Sequence, residues 1–229
     1  MSTHSLLILI PQQEEIAPFL EGCRALGCTL ESVSIGRLSG VAVQPIGALV
    51  AVGGNGKAQF ALQTQHLIDG CGAAAAVLCV GAAGRLSDEL KVGDVVVGTC
   101  TVEHDYRDRF THRPAPCHRS DDSLVGRFRR VVEERAFPFA VRFGPIASGD
   151  EDIIDRRRAA ELRAQTDALC VAWEGSGGAR AAAFNGLPFA EIRGITDGAD
   201  ADAAASFREN LPVAMPNISR LVVSWAESC

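Results

Sequence analysis

The stretch VAWEGSGGARAAAFNGLPFAEIRGITDGAD, which runs from Val171 to Asp200, decides the fold of this chain. An apolar run from Leu169 to Ala172 and a second from Phe189 to Ile195 flank a helix-like segment from Ser176 to Asn185. Strand, helix and strand in this order are typical of a βαβ unit in a largely parallel sheet.

A carboxylate follows each of these two strands, Glu174 after the first and Asp197 after the second. The carboxyl ends of strands in an open parallel sheet converge on the ligand crevice. We therefore expect both side chains to face one pocket, although they are far apart in the sequence. The structural alternative is that each acid only caps the helix that follows its strand.

Alternating apolar runs and helix-like segments continue along the chain and predict one α/β domain over residues 1–229. The further predicted strands are Leu6 to Ile10, Val41 to Ile46, Ala48 to Val52, Ala76 to Val80, Val95 to Val97 and Val141 to Ala147. The further predicted helices run from Glu14 to Leu26, from Lys57 to about Asp69, from Arg156 to Thr166 and from Ala203 to about Ala226. We expect a hairpin at Gly47 and a long loop from Tyr106 to Ser120.

Composition limits the partners of this domain. The net charge is −6, with no basic run that could follow a phosphate backbone, so nucleic acid and anionic membranes are not expected as partners. The apolar run at Leu6 to Ile10 is five residues long and lacks a basic flank, which fits neither a signal peptide nor a membrane span. A small-molecule ligand and a cytoplasmic location are the expectations.

The cysteines and histidines do not predict a metal site or a disulfide framework. The five histidines have no HxxxH spacing and the eight cysteines contain no CxxC pair. We expect core thiols in a reducing compartment, with no metal and no cofactor. The cysteines are Cys23, Cys28, Cys71, Cys79, Cys100, Cys117, Cys170 and Cys229, and the histidines are His4, His66, His104, His112 and His118.

Two glycine-rich segments follow predicted strands. Gly53 to Lys57 (GGNGK) lets backbone amides approach a ligand, but it is neither a GxGxxG motif nor a Walker A loop. Dinucleotide and ATP binding are therefore disfavoured. The second segment, Gly81 to Gly84 (GAAG), is interpreted either as a plain tight turn or as a ligand loop.

Taken in order, the motifs resemble a known superfamily. KVGDVVV from Lys91 to Val97 and RGITDGAD from Arg193 to Asp200 stand beside an early Glu, GxGK, GxxGxL, SGD and WEG. This order is similar to the nucleoside phosphorylase and nucleosidase superfamily, and most similar to the 5′-methylthioadenosine/S-adenosylhomocysteine nucleosidases. The resemblance implies a three-layer α/β/α sandwich with a mixed, partly closed central sheet, and a homodimer or higher homo-oligomer.

The resemblance also implies roles for the acids. Asp197 matches the general acid that protonates purine N7, which requires a carboxyl kept neutral by its apolar surroundings. Glu174 matches the acceptor of the ribose 2′- and 3′-hydroxyls. Glu15 matches the acid that activates the attacking water. The adjacent Glu14 is the alternative match for this role. Arg193 is expected to orient Asp197 or another site carboxylate, or to form a structural ion pair.

The phosphorylases of this superfamily hold phosphate with residues that this chain lacks. At the positions of their arginine and hydroxyl stand Cys79 and Ala82, neither of which binds a dianion. Hydrolysis is therefore favoured over phosphorolysis. Lys57 and Arg85 remain as candidate cations for a phosphate.

The chain departs from the nucleosidases at several ligand positions. Ala172 and Trp173 stand where those enzymes have Glu and Met, and Asp152 and Ile153 follow SGD without the usual stacking Phe. Trp173 offers another aromatic face, or is simply core. Asp152 is a candidate acceptor for a base edge. Gly81, Ala82 and Ile153 complete the predicted binding residues.

A purine-nucleoside N-ribosyl hydrolase is thus predicted, acting on a 5′-modified adenosine such as 5′-methylthioadenosine or S-adenosylhomocysteine. The alternatives are a purine nucleoside phosphorylase, a futalosine hydrolase and a non-catalytic nucleoside-binding protein. WEG resembles the MEG of futalosine hydrolases, although those relatives more commonly carry Asn where this chain has Asp197.

Overall fold

A computed structural model describes residues 6–228 of the chain, so the predictions that involve His4 and Cys229 lie outside the described residues. The strands are β1 Leu6–Ile10, β2 Thr29–Ile35, β3 Leu38–Gln44, β4 Ala48–Val52, β5 Ala76–Arg85, β6 Val95–Glu103, β7 Cys117–Arg119, β8 Val141–Ser148, β9 Cys170–Ala172 and β10 Phe189–Asp197. The helices are α1 Gln13–Ala25, α2 Gly56–Cys71, α3 Asp122–Glu134, α4 Arg156–Thr166, α5 Gly175–Phe184 and α6 Ala203–Glu227.

The strands form one mixed sheet, part of which closes on itself. The main path is β10-β6-β8-β9-β5-β1-β4-β3-β2, and β10 also pairs with β5. The ring β5-β10-β6-β8-β9 is therefore closed, while β1, β4, β3 and β2 extend from it as an open sheet. The predicted mixed, partly closed α/β architecture is confirmed.

Helices cover both faces of the sheet because its central strands are apolar on both sides. In β1, Ile8 and Ile10 pack into the cluster that contains residues of α1, α3 and α6. Leu7 and Leu9 point the other way and pack with residues of α2 and α5. A strand buried on both faces lacks the polar alternation of a half-exposed strand.

The simple parallel βαβ unit expected around α5 is wrong. β9 is antiparallel to β5, whereas β10 is parallel to β5, so the two strands run in opposite senses beside the same neighbour. The turn expected at Gly81 to Gly84 is also wrong, because this segment continues β5. Its pairing with β10 persists through Ala83 and reaches Asp197 opposite Gly84, which keeps the backbone extended.

Several elements had not been predicted. β2 is an edge strand whose side chains are exposed or half-buried, and it pairs only with β3 along the sheet path. α3 buries Leu124, Phe128 and Val131 at helical spacing, and Asp121 caps its first turn. The long loop from Tyr106 to Ser120 is interrupted by β7, which pairs with β6. The hairpin at Gly47 joins antiparallel β3 and β4 as expected.

Candidate active site

A cavity of about 550 Å³ lies at the end of the closed part of the sheet. Three buried carboxylates border it, Glu15, Glu174 and Asp197, together with the guanidinium of Arg193. All four of these residues are at least nine-tenths buried. The two acids that follow β9 and β10 therefore share one cavity with a third acid from the opposite side.

The carboxyl-terminal half of β5 brings these residues together. Its Gly84 lies opposite Val171 of β9 on one side and Asp197 of β10 on the other. Arg193 lies opposite Gly81, three pairing steps earlier along the same parallel pair of strands. The acids converge because both strands flank β5, and not because they belong to a parallel pair.

Glu15 occupies the first turn of α1 and turns back toward the sheet. Its Oε1 accepts a hydrogen bond from the Ala82 amide at 2.7 Å, and its Oε2 accepts one from the Gln12 amide at 3.0 Å. Burial raises the pKa of Glu15 to about 7, and the nearby charge of Glu174 adds to this shift. Glu14 also borders the cavity, but its side chain is exposed.

Glu174 is fixed from two sides. Its Oε1 accepts a hydrogen bond from the Gly56 amide at 3.3 Å, and its Oε2 lies 3.3 Å from Nη2 of Arg193. Burial raises the pKa of the Glu174 carboxyl, and the charge of Arg193 opposes that rise. Although Glu174 precedes α5, its side chain makes no capping hydrogen bond to that helix. The interpretation as a simple helix cap does not hold for this residue.

Asp197 ends β10, and the residue is 8% exposed. Its Oδ1 accepts a hydrogen bond from the Ala199 amide at 2.9 Å, and its Oδ2 bonds the Thr196 hydroxyl at 2.8 Å. Burial raises the pKa of Asp197 above its ordinary value despite these two bonds. The next helix begins at Ala203, so Asp197 does not cap it.

Arg193 does not orient Asp197. Instead its Nε donates to Glu191 at 2.8 Å and its Nη2 to Glu174 at 3.3 Å. Sequence reasoning missed Glu191, which is fully buried. A usable signal was present, because Glu191 and Arg193 are opposite charges two positions apart in an apolar strand and therefore lie on the same face.

The remaining predicted binding residues lie around the same cavity, with one exception. Ala82 and Ile153 are buried in its lining, Trp173 is half-buried there, and Asp152 borders it with an exposed side chain. Gly81 lies behind the lining, where a Cβ atom would come within 2.6 Å of Nη1 of Arg193. Its hydrogen side chain makes room for the guanidinium.

Glu151, which directly follows the SGD motif, is engaged outside the cavity chemistry. It accepts two hydrogen bonds from Arg158, at 2.8 and 2.7 Å. This pairing keeps the pKa of Glu151 below its ordinary value. The half-buried ring of Trp173 is an aromatic surface in the lining of the cavity.

The two cations considered for phosphate are turned away from the cavity. The Lys57 ammonium bonds Glu103 at 3.0 Å and also Asp105, and the Arg85 guanidinium donates to the Leu90 carbonyl at 2.9 Å. Neither residue borders the cavity. Within residues 6–228, no group of three or more His, Cys, Asp or Glu side chains is arranged to hold a metal ion.

The fold and this set of acids define a class of enzyme that acts on nucleosides, and comparison with known proteins agrees. The family model described as Phosphorylase superfamily matches residues 13–227. A relative from Geobacillus kaustophilus, named 5′-methylthioadenosine/S-adenosylhomocysteine nucleosidase, is 30% identical over 228 residues, which cover 95% of this chain and 94% of the relative. The chain belongs to the 5′-methylthioadenosine/S-adenosylhomocysteine nucleosidase family of that superfamily.

Solved structures give the same result. The nucleosidase of that name from Helicobacter pylori superposes with a TM-score of 0.86 at 27% identity, with all of both chains covered. A futalosine hydrolase from Helicobacter pylori also gives a TM-score of 0.86 at 27% identity, with 99% of each chain covered. Overall shape therefore does not separate these two activities.

Proposed function

We propose that this enzyme hydrolyses the N-ribosidic bond of a 5′-modified adenosine, with 5′-methylthioadenosine and S-adenosylhomocysteine as the leading substrates. The observation that carries this proposal is the buried carboxyl of Asp197 in one cavity with Glu15 and Glu174. The names of the relatives in the same family support the choice of substrate.

The leaving purine needs a proton, because cleavage otherwise expels a nitrogen anion. Asp197 is suited to supply it, since burial raises the pKa of its carboxyl and so favours the neutral acid. In the proposed reaction its proton passes to purine N7 as the glycosidic bond breaks. The bonding electrons leave with the base, and positive charge develops on the ribosyl ring.

The two glutamates act on the sugar and the water. The carboxylate of Glu174, which Arg193 and the Gly56 amide hold in place, accepts hydrogen bonds from the ribose hydroxyls. Glu15 takes a proton from water while the oxygen of that water bonds to the anomeric carbon of the ribose. A carboxyl with a pKa of about 7 is well matched to a general base near neutral pH.

Water rather than phosphate is the proposed nucleophile because the buried cation of the cavity, Arg193, and the candidate Lys57 are already paired. Arg193 faces Glu174 and Glu191, and Lys57 faces Glu103 and Asp105. A phosphate dianion in this cavity would meet three carboxylates without a free buried cation beside them. Burying a dianion without such a partner is unfavourable.

A second candidate substrate is a nucleoside whose 5′ substituent is an aromatic acid, as in futalosine. The futalosine hydrolase fold is as similar as that of the nucleosidase, and Arg208 borders the cavity with an exposed guanidinium. An arginine at the rim could pair with such an acid. This candidate differs only in what occupies the 5′ position.

One assay tests these possibilities. The protein is incubated with 5′-methylthioadenosine, S-adenosylhomocysteine, futalosine, adenosine and inosine, each with and without phosphate, and free base and sugar products are measured. Release of adenine and free ribosyl sugar from the first two, independent of phosphate, supports the proposal. Ribose 1-phosphate products, preference for futalosine, or no turnover of any nucleoside would each contradict it.

We also propose a cytoplasmic homo-oligomer. The seven described cysteines are free thiols and four of them are buried, as expected in a reducing compartment. Leu62 and Phe184 leave large apolar side chains exposed, which supports contact with a second copy. In the described part of the chain, no helix is long and apolar enough to cross a membrane.

A further inference from the structure

A buried carboxylate that the proposed mechanism does not use lies behind the candidate active site. Glu191 is in the middle of β10 and its side chain is fully buried. Its Oε1 accepts from Nε of Arg193 at 2.8 Å, and its Oε2 accepts from the Thr101 hydroxyl at 2.5 Å. Both oxygens are therefore satisfied by donors, as a buried ionised carboxylate requires.

The surrounding backbone leaves space for this carboxylate. A Cβ atom on Gly175 would lie 2.0 Å from Oε2 of Glu191, a distance that no real contact reaches. Gly175 follows Glu174 directly and begins α5. The segment that carries Glu174 thus approaches Glu191 closely because glycine stands at position 175.

Arg193 connects Glu191 to the cavity. Its Nε faces Glu191, its Nη1 donates to the Ala82 carbonyl at 3.3 Å, and its Nη2 donates to Glu174 at 3.3 Å. The guanidinium is planar and its donors keep a fixed geometry. Holding Nε therefore determines where Nη2 points.

We propose that Glu191 is a positioning residue: it locks the Arg193 guanidinium in the orientation that holds Glu174 for the ribose hydroxyls. The proposal rests on the proposed function, since Glu174 binds hydroxyls only if the substrate is a riboside. Glu191 itself does not border the cavity, so it acts through Arg193 and not on the substrate.

The charges give this arrangement a second consequence. Glu191, Glu174 and Glu15 surround one guanidinium in a buried region. Burial is the main cause of the raised pKa of Glu174, and the charge of Glu191 raises it further. Removing the charge of Glu191 takes away a repulsion on the Glu174 carboxylate and by itself would lower the pKa of Glu174, whereas loss of the Arg193 contact would raise it.

The test uses Glu191→Gln, which keeps the size of the side chain and removes its charge. Substrates are 5′-methylthioadenosine and its 2′-deoxy analogue, which lacks one hydroxyl that Glu174 would accept. For wild type we expect a large preference in kcat/KM for the riboside. In Glu191→Gln the amide oxygen can still accept from Nε of Arg193, but the charge-assisted hydrogen bond becomes a weaker neutral one, so that preference should shrink about tenfold. A purely structural defect would lower kcat/KM for both substrates equally.

Two further variants keep the outcome interpretable. Thr101→Val removes only the bond to Oε2 and should give a smaller loss of the same preference. Asp94→Asn is the matched control, because Asp94 is a buried carboxylate that accepts from the Lys91 and Ala140 amides, at 2.9 and 3.0 Å, and has no bond to Arg193. It should lower thermal stability and leave the riboside preference intact.

A substrate-free measurement separates this inference from the proposed function. ¹⁵N NMR of the Arg193 Nε–H group should show slow exchange with water and little mobility in wild type, and faster exchange with greater mobility in Glu191→Gln. If wild type turns over no nucleoside, the proposed function fails, and this NMR measurement alone decides the positioning role. An unchanged riboside preference in an active Glu191→Gln, or an Arg193 Nε–H group that behaves as in wild type, overturns the inference.

Discussion

The proposed chemistry depends most strongly on Asp197, because a departing purine needs a proton from a group that holds one near neutral pH. Replacing Asp197 with Asn should reduce kcat by about 10²–10⁴, the usual effect of losing a general acid. Nucleoside affinity should change little, since Asn keeps the size and polarity of the side chain. Steady-state kinetics and calorimetric binding measure the two effects.

The control for Asp197 is Asp202→Asn, which changes an exposed acid just before α6. It should retain wild-type kcat. Loss of affinity without loss of turnover in Asp197→Asn would contradict the acid role. A wild-type protein that binds nucleosides tightly but never cleaves them would point to the non-catalytic alternative.

The pH dependence of the reaction should report Glu15. A general base acts only when ionised, and the pKa of this carboxyl is raised to about 7. The ionised fraction of Glu15 therefore increases as the pH rises through that value, and kcat/KM should increase with it until deprotonation of the general acid Asp197 lowers it again. A profile of kcat/KM between pH 5 and 9 that is flat, or that only falls from pH 5 upward, is incompatible with this assignment.

Asp152 gives a prediction about the base. Its exposed carboxylate borders the cavity beside Ile153, where a purine amino group could donate to it. Asp152→Ala should raise KM for 5′-methylthioadenosine about tenfold, with a smaller change in kcat. For an analogue that lacks the 6-amino group, the variant and wild type should have similar KM values. Equal losses for both compounds would exclude a contact with the amino group.

At the scale of elements, glycines set how closely α5 approaches α2. A Cβ atom on Gly177 would lie 2.2 Å from the carbonyl oxygen of Lys57, in the first turn of α2. Gly177→Ala should therefore separate the helices and destabilise the protein by about 1–3 kcal/mol. Because α2 also supplies the Gly56 amide to Glu174, kcat/KM should fall as well.

Gly126 provides the matched comparison within another helix. A Cβ atom there would meet nothing within 4 Å, and the residue is exposed in the middle of α3. Gly126→Ala should stabilise the protein by about 0.5–1 kcal/mol, the difference between Gly and Ala in a helix. Thermal or urea unfolding of both variants tests the pair. Equal destabilisation by the two changes would show that the close contact at Gly177 is unimportant.

At the scale of the whole molecule, the bounds of strands and helices were predicted from the sequence more accurately than the way the strands pair in the sheet. β1, β4 and α4 were predicted with the observed bounds because each is a clear apolar run or helical pattern between breakers. The opposite senses of β9 and β10 beside β5 were not predicted, because strand direction in a closed sheet depends on long-range pairing. Site acids at the ends of strands, such as Glu174 and Asp197, were identified from the sequence, whereas Glu191 was missed because it lies in the middle of β10.

The exposed apolar side chains make a prediction for the assembly. Leu62 is 71% exposed and Phe184 is 85% exposed. They lie near each other because Gln65, one turn after Leu62, is hydrogen-bonded to Asn185, the neighbour of Phe184. An apolar patch on two packed helices is better covered by a second copy than by water.

Light scattering after gel filtration should therefore give a mass of at least twice the 24.2 kDa of one chain. The double change Leu62→Ser and Phe184→Ser should move the protein toward the mass of a single chain. Each serine hydroxyl is hydrated in the single chain, so burying it at an interface does not lower the free energy as burying an apolar side chain does. Val213→Ser, on α6 in the opposite helical layer, alters another exposed apolar residue and should leave the mass unchanged.

If wild type has the mass of one chain at micromolar concentration, the α2 and α5 face does not join copies of this protein. If the double variant keeps the wild-type mass, a different surface joins them, since the patch would then have lost its apolar character without any effect on assembly.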